Sequence, residues 1–305
     1  MPRILVIGRN GQVGWELLTA LEPLGTVIGL DRSGMDLASL DSIRRAIRDA
    51  KPDVIVNAAA YNNVDRAESE SDLAMMVNGI APGVMAEEAK RLGANLIHYS
   101  TDYVFDVERD QPCVEGDPPH PVNAYGKSKL AGERAVEAVG EQYLTLRTSW
   151  VYSARGSNFM LTVLRLVREK PELSMVDDQS GSPTWARALA RATAELLRRK
   201  ELITRHSGVY HLTAGGHTSR YAFARAIIDI MKEVSGIPDG SASVKPITTD
   251  QYPLPARRPP HPVTSTVKIR GVFGIEMRCW EDQLRSCLSD LAASRRTGST
   301  SQALP

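Results

Sequence analysis

Ile4-Leu-Val-Ile7 runs directly into Gly8-Arg-Asn-Gly-Gln-Val-Gly14, and the reading of this stretch decides the fold. Four consecutive β-branched or bulky apolar residues mark a strand buried on both faces. Gly8, Gly11 and Gly14 follow at Gly-x-x-Gly-x-x-Gly spacing. Gln12 to Leu21 then predicts a helix with Val13, Leu17, Leu18 and Leu21 on one face. A strand, a glycine turn and a helix N-terminus form a cradle of backbone amides for a pyrophosphate. Glycines alone are weak evidence, and the flanking strand and helix supply the context they need. The bland alternative is a tight turn with no ligand. On the dinucleotide reading, Gly8, Asn10, Gly11, Gln12, Val13 and Gly14 contact the cofactor.

The same alternation continues outward. Val27–Leu30 is the second expected strand, Leu40–Ala50 a helix with Ile43 and Ile47 inward, and Val54–Val56 the third strand. A long helical pattern covers Asp72–Leu92, a strand Leu96–Tyr99, a helix Ala124–Val139 and a strand Tyr143–Arg147. Such alternation predicts an α/β fold, a Rossmann-type doubly wound parallel sheet covered on both faces. Residues 1–150 are read as the dinucleotide-binding domain, which later segments are free to rejoin. Residues 151–293 are read as a smaller mixed α/β substrate region. It holds helices at Phe159–Glu169, Ala186–Lys200, Tyr221–Val234 and Trp280–Ala293, with a proline-rich loop at Gln251–Pro262. Residues 294–305 are polar, aperiodic and expected to form a loose tail.

The end of the second strand, Leu30-Asp31-Arg32, leaves the cofactor open. Asp31 suits the adenosine ribose hydroxyls of NADH, while Arg32, with Arg9 nearby, suits the 2′-phosphate of NADPH. Asp36 and Leu37 are expected to flank the adenine. Asn57-Ala58-Ala59-Ala60 ends the third strand with small residues beside which a cofactor can lie.

Composition narrows the class. The chain has 305 residues, 42% of them apolar and 24% charged, with a formal net charge of +1, so nothing in bulk charge points to nucleic acid or a membrane. Three cysteines, Cys113, Cys279 and Cys287, lack paired spacing and suit a reducing compartment. No apolar run reaches a membrane span, and the cytoplasm is the expected location. His98 lies inside an apolar strand, while His120 and His261 sit in proline-rich loops without metal spacing, so no metal is expected.

Tyr125 and Lys129 stand at i and i+4 of the Ala124–Val139 helix and share a face. A phenol with a pKa of about 10 is a weak acid at neutral pH, and a fixed ammonium nearby stabilises its anion. Thr101, in Tyr99-Ser-Thr-Asp-Tyr-Val-Phe105, adds a hydroxyl at the end of a strand. The trio can protonate a carbonyl oxygen while hydride arrives at its carbon. Tyr-x-x-x-Lys occurs by chance on many helices, so its meaning depends on the rest of the chain.

Together these motifs resemble the extended short-chain dehydrogenase/reductase superfamily. More narrowly, the chain resembles the dTDP-4-dehydrorhamnose reductase family. The family-like stretches include Gly11-Gln-Val-Gly-Trp-Glu-Leu17, Pro52–Ala60, His98–Phe105, Lys129-Leu-Ala-Gly-Glu133, Leu146–Tyr152 and Pro255-Ala-Arg-Arg-Pro259, and the likeness runs from residue 3 to about 290. The resemblance implies that NADPH or NADH reduces the C4 ketone of a dTDP-linked 4-keto-6-deoxy sugar, dTDP-4-dehydro-L-rhamnose, to dTDP-L-rhamnose. It implies that Tyr125 donates the proton, that Lys129 tunes Tyr125 and binds the nicotinamide ribose, and that Thr101 orients the substrate oxygen. It also implies sugar contacts from Asp102 and Trp150 and diphosphate contacts from Arg257 and Arg258. Each has a plainer reading: Asp102 as a turn cap, Trp150 as core, Arg257 and Arg258 as a solvated pair.

The chain also departs from the family. Tyr61-Asn62-Asn63 replaces a common His-Thr, and Pro259-Pro-His-Pro-Val263 replaces a common Asn-Ser. Some relatives dimerise through metal-bridged glutamates. Glu16 matches one of these, but Arg187 stands at another, so a monomer or a homodimer without bridging metal is expected. Related 4,6-dehydratases carry an Asp-Glu pair where this chain has Asp102-Tyr103, which disfavours dehydration. Related epimerases usually carry a serine-rich segment in place of Ser100-Thr-Asp102. Two alternatives remain open: a reductase of another 4-keto-6-deoxy sugar nucleotide, and a non-catalytic regulatory subunit of this fold, such as the one that binds methionine adenosyltransferase.

Overall fold

The computed structural model describes residues 1–107, 111–235 and 242–296. The first half follows the expected alternation: β1 (Arg3–Ile7), α1 (Gln12–Leu21), β2 (Thr26–Leu30), α2 (Leu40–Ala50), β3 (Val54–Asn57), α3 (Ser71–Met75), α4 (Ala81–Leu92), β4 (Asn95–Thr101), α5 (Ala124–Val139) and β5 (Tyr143–Thr148). The sheet has six strands in the order 208–211, β5, β4, β3, β1, β2. Every neighbouring pair is parallel. From β1 the chain steps to β2 on one side and then crosses to β3 on the other. The gap above β1 and β3 is therefore the topological switch point, where ligands of open α/β sheets bind.

Strand periodicity sets the two faces. Ile4 and Val6 of β1, Val54 and Val56 of β3, and Leu144 and Leu146 of β5 join one core. Leu5, Ile7, Ile55 and Leu96 join the opposite core with Ile43 and Ile47 of α2 and Val84 and Met85 of α4. Ile4, Leu5, Val6 and Ile7 are each at most 2% exposed. Each such burial contributes about 1.5–3 kcal/mol, which is why this run can only be an interior strand.

The long helical pattern over Asp72–Leu92 is helical throughout but changes pitch within it. A π-helical turn, Met76–Ile80, separates α3 from α4. Pro82 has no N–H for the Asn78 carbonyl, so the α-helical ladder fails there. The turn presents Asn78, whose side chain accepts from Tyr61 N at 2.8 Å and donates to Ser128 Oγ of α5 at 3.0 Å.

Beyond residue 150, helices Phe159–Glu169, Arg220–Ser235 and Trp280–Arg296 gather around a second core that includes Val163, Phe223, Ile227, Leu284 and Leu288. The expected Ala186–Lys200 helix runs Ala186–Arg198, and a separate short helix, Lys200–Arg205, follows it. Leu189, Leu196 and Leu197 of the former enter the same core as Ile4 and Val6. The strand Gly208–His211 closes one sheet edge beside β5. The last helix extends through Arg296, so residues 294–296 are helical rather than loose tail, and residues 297–305 lie outside the described residues. Among the described residues no helix is long and apolar enough to cross a membrane.

Candidate active site

A cleft of about 590 Å3 lies along the C-terminal ends of the strands. One wall is the glycine loop. Gly8 has φ +88°, in the left-handed region, and a Cβ there would come within 2.9 Å of the Ala59 backbone. A Cβ on Gly14 would lie 2.0 Å from the Gly8 carbonyl oxygen, so only glycine lets α1 start this close under the loop. The N-cap of α1 is Gly11, and no side chain caps it. Its first amides, positive end of the helix dipole included, are left for an anionic group. This open cradle fits a dinucleotide pyrophosphate.

Gly8, Asn10, Gly11, Gln12, Val13, Asp31, Arg32, Ala58, Ala59 and Ala60 all line the cleft. The Asp31 carboxylate accepts from Ser33 N at 3.0 Å, Ser33 Oγ at 2.6 Å and Asn10 Nδ2 at 3.1 Å. The Ser33 hydrogen bonds hold it below the usual aspartate range. The Arg32 side chain is 82% exposed, with Asp36 3.8 Å away, and is free to turn toward a phosphate. Gly14, Asp36 and Leu37 do not line the cleft. Gly14 supports the loop from beneath. Asp36 caps the next turn through Ala38 N at 3.1 Å, and Leu37 is packed in the core with Ile43 and Ile47.

The far end of the cleft holds Thr101, Asp102, Tyr125 and Lys129 together. Asn123 sets the start of α5, accepting from Gly126 N at 2.7 Å and donating to the Arg257 carbonyl at 2.7 Å. Gly126 lets α5 sit against the end of β4, since a Cβ there would be 2.4 Å from the Tyr103 carbonyl oxygen. Tyr125 is thereby brought to the Thr101 hydroxyl, with which it hydrogen-bonds. Tyr103 meets the Tyr125 ring edge-on at 5.8 Å.

The charges at this end are governed by burial. Lys129 is 2% exposed, and its Nζ donates to the Tyr99 carbonyl at 2.6 Å. Burial brings its pKa down to about 8, against the opposing pull of Glu133. Sequence reasoning expected Lys129 to lower the Tyr125 pKa. In the structure burial raises the phenol instead, with the Thr101 hydrogen bond pulling it partly back. Asp102 is pushed up to about 6 by burial, although Ser149 Oγ donates to it at 2.6 Å and Thr101 Oγ1 at 3.1 Å. Asp102 is thus a buried carboxyl on the cleft wall and more than a turn cap.

Trp150 also lines the cleft, in a left-handed backbone conformation with φ +41° that is uncommon for a bulky residue. Neither Arg257 nor Arg258 lines the cleft itself. Arg257 is drawn to Asp106 at 3.4 Å and Arg258 to Asp65 at 2.8 Å, so both guanidiniums face carboxylates of neighbouring loops. Sequence reasoning missed Arg220, Tyr103 and Asn62, which do line it. Arg220 belongs to no motif and reaches the cleft only because its helix packs beside Trp150. Beneath the cleft, Glu133 of α5 and Arg147 of β5 form a buried pair at 2.7 Å, and Ser100 Oγ donates to Glu133 at 2.5 Å.

His98 is buried and bonded to Asn57 Nδ2 at 3.0 Å, in a packing role. Among the described residues no group of three or more His, Cys, Asp or Glu could hold a metal ion. The Glu16 carboxylate instead takes Arg187 Nε at 2.8 Å. A second cavity of about 570 Å3 lies by Arg187, Arg191 and Arg278, away from the glycine loop and Tyr125.

Comparison with known proteins agrees with this geometry. Residues 2–293 match the family described as RmlD substrate binding domain. A dTDP-4-dehydrorhamnose reductase of Burkholderia thailandensis is 49% identical over 95% of this chain and 99% of its own length. Its Escherichia coli K12 counterpart is 40% identical over 94% and 97%. Among solved structures, a Bacillus anthracis dTDP-4-dehydrorhamnose reductase in complex with NADP superimposes with TM-score 0.86 at 32% identity, covering 95% of this chain and 99% of that one. A Thermus thermophilus UDP-glucose 4-epimerase, at 19% identity and TM-score 0.78, shares the fold. With a glycine-loop cleft that ends at Tyr125, Lys129 and Thr101, and with likeness along nearly its whole length, this chain belongs to the dTDP-4-dehydrorhamnose reductase family of extended short-chain dehydrogenases/reductases.

Proposed function

We propose that this chain reduces the C4 ketone of dTDP-4-dehydro-L-rhamnose, with NADPH or NADH, to give dTDP-L-rhamnose. The observation that carries this reading is the meeting of Tyr125, Thr101 and Lys129 at one end of a cleft whose other end is an uncapped, glycine-lined helix N-terminus. Gly8 to Gly14 would hold the pyrophosphate, Asp31 and Arg32 the adenosine side, and Lys129 the nicotinamide ribose. When bound, the dihydronicotinamide supplies hydride to C4. Tyr125 stays protonated because it is buried, and it donates its proton to the C4 oxygen as charge develops there. Thr101 fixes the pose of that oxygen and, through its hydrogen bond to Tyr125, eases departure of the phenolic proton, while the Lys129 ammonium holds the cofactor's ribose beside it. Asp102 and Trp150 bound the sugar side, with residues 151–293 contributing the rest of that wall.

Asp31 supports NADH and the exposed Arg32 supports NADPH, and the Bacillus anthracis relative was seen with NADP. Cys113, Cys279 and Cys287 form no disulfide with one another, in keeping with the reducing cytoplasm as the working compartment. The test is turnover of the purified chain with dTDP-4-dehydro-L-rhamnose, run separately with each cofactor. Formation of dTDP-L-rhamnose is expected. Loss of dihydronicotinamide absorbance with a different C4 epimer would replace the substrate assignment. No turnover with either cofactor would leave the regulatory-subunit reading in its place.

A further inference from the structure

Arg220 opens the helix Arg220–Ser235 and reaches the substrate end of the cleft. Its guanidinium carbon lies 3.5 Å from the centre of the Trp150 ring and 5.1 Å from that of Phe159. Trp150 is held in place from two sides. Its own backbone is left-handed, at φ +41°. Gly181 leaves it room, since a Cβ there would meet Trp150 Cε2 at 2.3 Å. The indole is therefore a fixed platform, and the guanidinium rests on it. Arginine stacks on aromatic faces while keeping its N–H fork free for planar oxyanions.

The neighbours of this cation decide what it can bind. Arg220 feels the Asp102 charge and interacts with the Tyr103 hydroxyl, yet it enters no ion pair within 4 Å among the described residues. Arg257 and Arg258 are committed to Asp106 and Asp65. Arg258 is also close enough to repel Arg220. A guanidinium with no ion-pair partner within 4 Å among the described residues, beside the like charge of Arg258 at the edge of a cleft, is a site for an anion. On the reductase reading, the sugar lies against Tyr125 and Thr101, and its anionic diphosphate shares the cleft that Trp150 and Arg220 line.

We propose that Arg220, seated on the Trp150 indole, is the guanidinium that receives the diphosphate of the nucleotide sugar. This rests on the reductase reading for its ligand, though its test does not require turnover. The chain loaded with NADP+ is titrated calorimetrically with dTDP and, separately, with thymidine. Arg220→Met is expected to weaken dTDP at least about tenfold, the size of one lost charge-assisted contact. Thymidine and NADP+ affinities stay within about twofold in that variant, and Arg220→Lys recovers part of the loss for dTDP. Unchanged dTDP affinity in Arg220→Met, or no dTDP binding by the native chain, overturns the proposal. Equal weakening of dTDP and thymidine also overturns it, because that pattern reports a collapsed Trp150 platform. A chain that passes this test but reduces no keto sugar would sink the reductase reading and leave the Arg220 contact standing.

Discussion

Lys129 is a charged side chain taken almost wholly out of water and given one carbonyl, that of Tyr99, to hold it. Burial favours its neutral form, so its pKa falls to about 8. Below that value the ammonium persists, and above it the ammonium is lost. If it supports proton donation from Tyr125, turnover should fall as pH rises through about 8. A rate that stays flat up to about pH 10, the ordinary lysine range, would remove Lys129 from that role. Tyr125 titrates far above this window because burial raises it, so the limb belongs to the lysine. Tyr125, Lys129 and Thr101 were legible in the sequence, since an i, i+4 pair on a helix and a hydroxyl at a strand end are local facts. Arg220 and the commitments of Arg257 and Arg258 were not. They depend on which loops a guanidinium meets in space, and Asp65 and Asp106 are remote in sequence from both arginines.

At the scale of elements, α5 positions the chemistry through its first turn. Gly126 lies against the Tyr103 carbonyl, and Asn123 ties the helix start to the loop carrying Arg257. Gly126→Ala forces a Cβ to within 2.4 Å of that carbonyl oxygen unless α5 shifts. A shift of this kind moves Tyr125 away from Thr101, and a misplacement of about 1 Å costs on the order of 10²-fold in rate. The variant should therefore fold and bind NADPH but turn over about 10²-fold more slowly, as steady-state kinetics and calorimetry can check. Native kcat in this variant would show that the tight approach is only packing. Helix periodicity located α2 and α5 to the residue, because their apolar stripes and caps are encoded nearby. It also marked Asp72–Leu92 as helical but not the π-helical turn inside it, which a missing N–H at Pro82 and the tertiary partners of Asn78 produce.

The whole molecule does not divide cleanly where composition changes. Helix Ala186–Arg198 covers one sheet face, and strand Gly208–His211 closes an edge, so the sheet depends on residues beyond 150. An isolated 1–150 fragment would expose Ile4, Val6, Val54, Leu144 and Leu146 on that face. It should fail to give a cooperative thermal transition or a dispersed amide spectrum; a well-folded, soluble fragment would refute this dependence. Sequence reading left room for later segments to rejoin the sheet but could not say which, because a four-residue strand and a buried helix carry no mark of which sheet they join. The account as a whole turns on Tyr125 giving its proton to the C4 oxygen. Its most direct test is the turnover of Tyr125→Phe with NADPH and dTDP-4-dehydro-L-rhamnose, beside its NADPH dissociation constant. The prediction is a loss of about 10²–10⁴-fold in kcat, the usual worth of a positioned acid, with cofactor binding unchanged. Turnover within a few-fold of the native chain would contradict it.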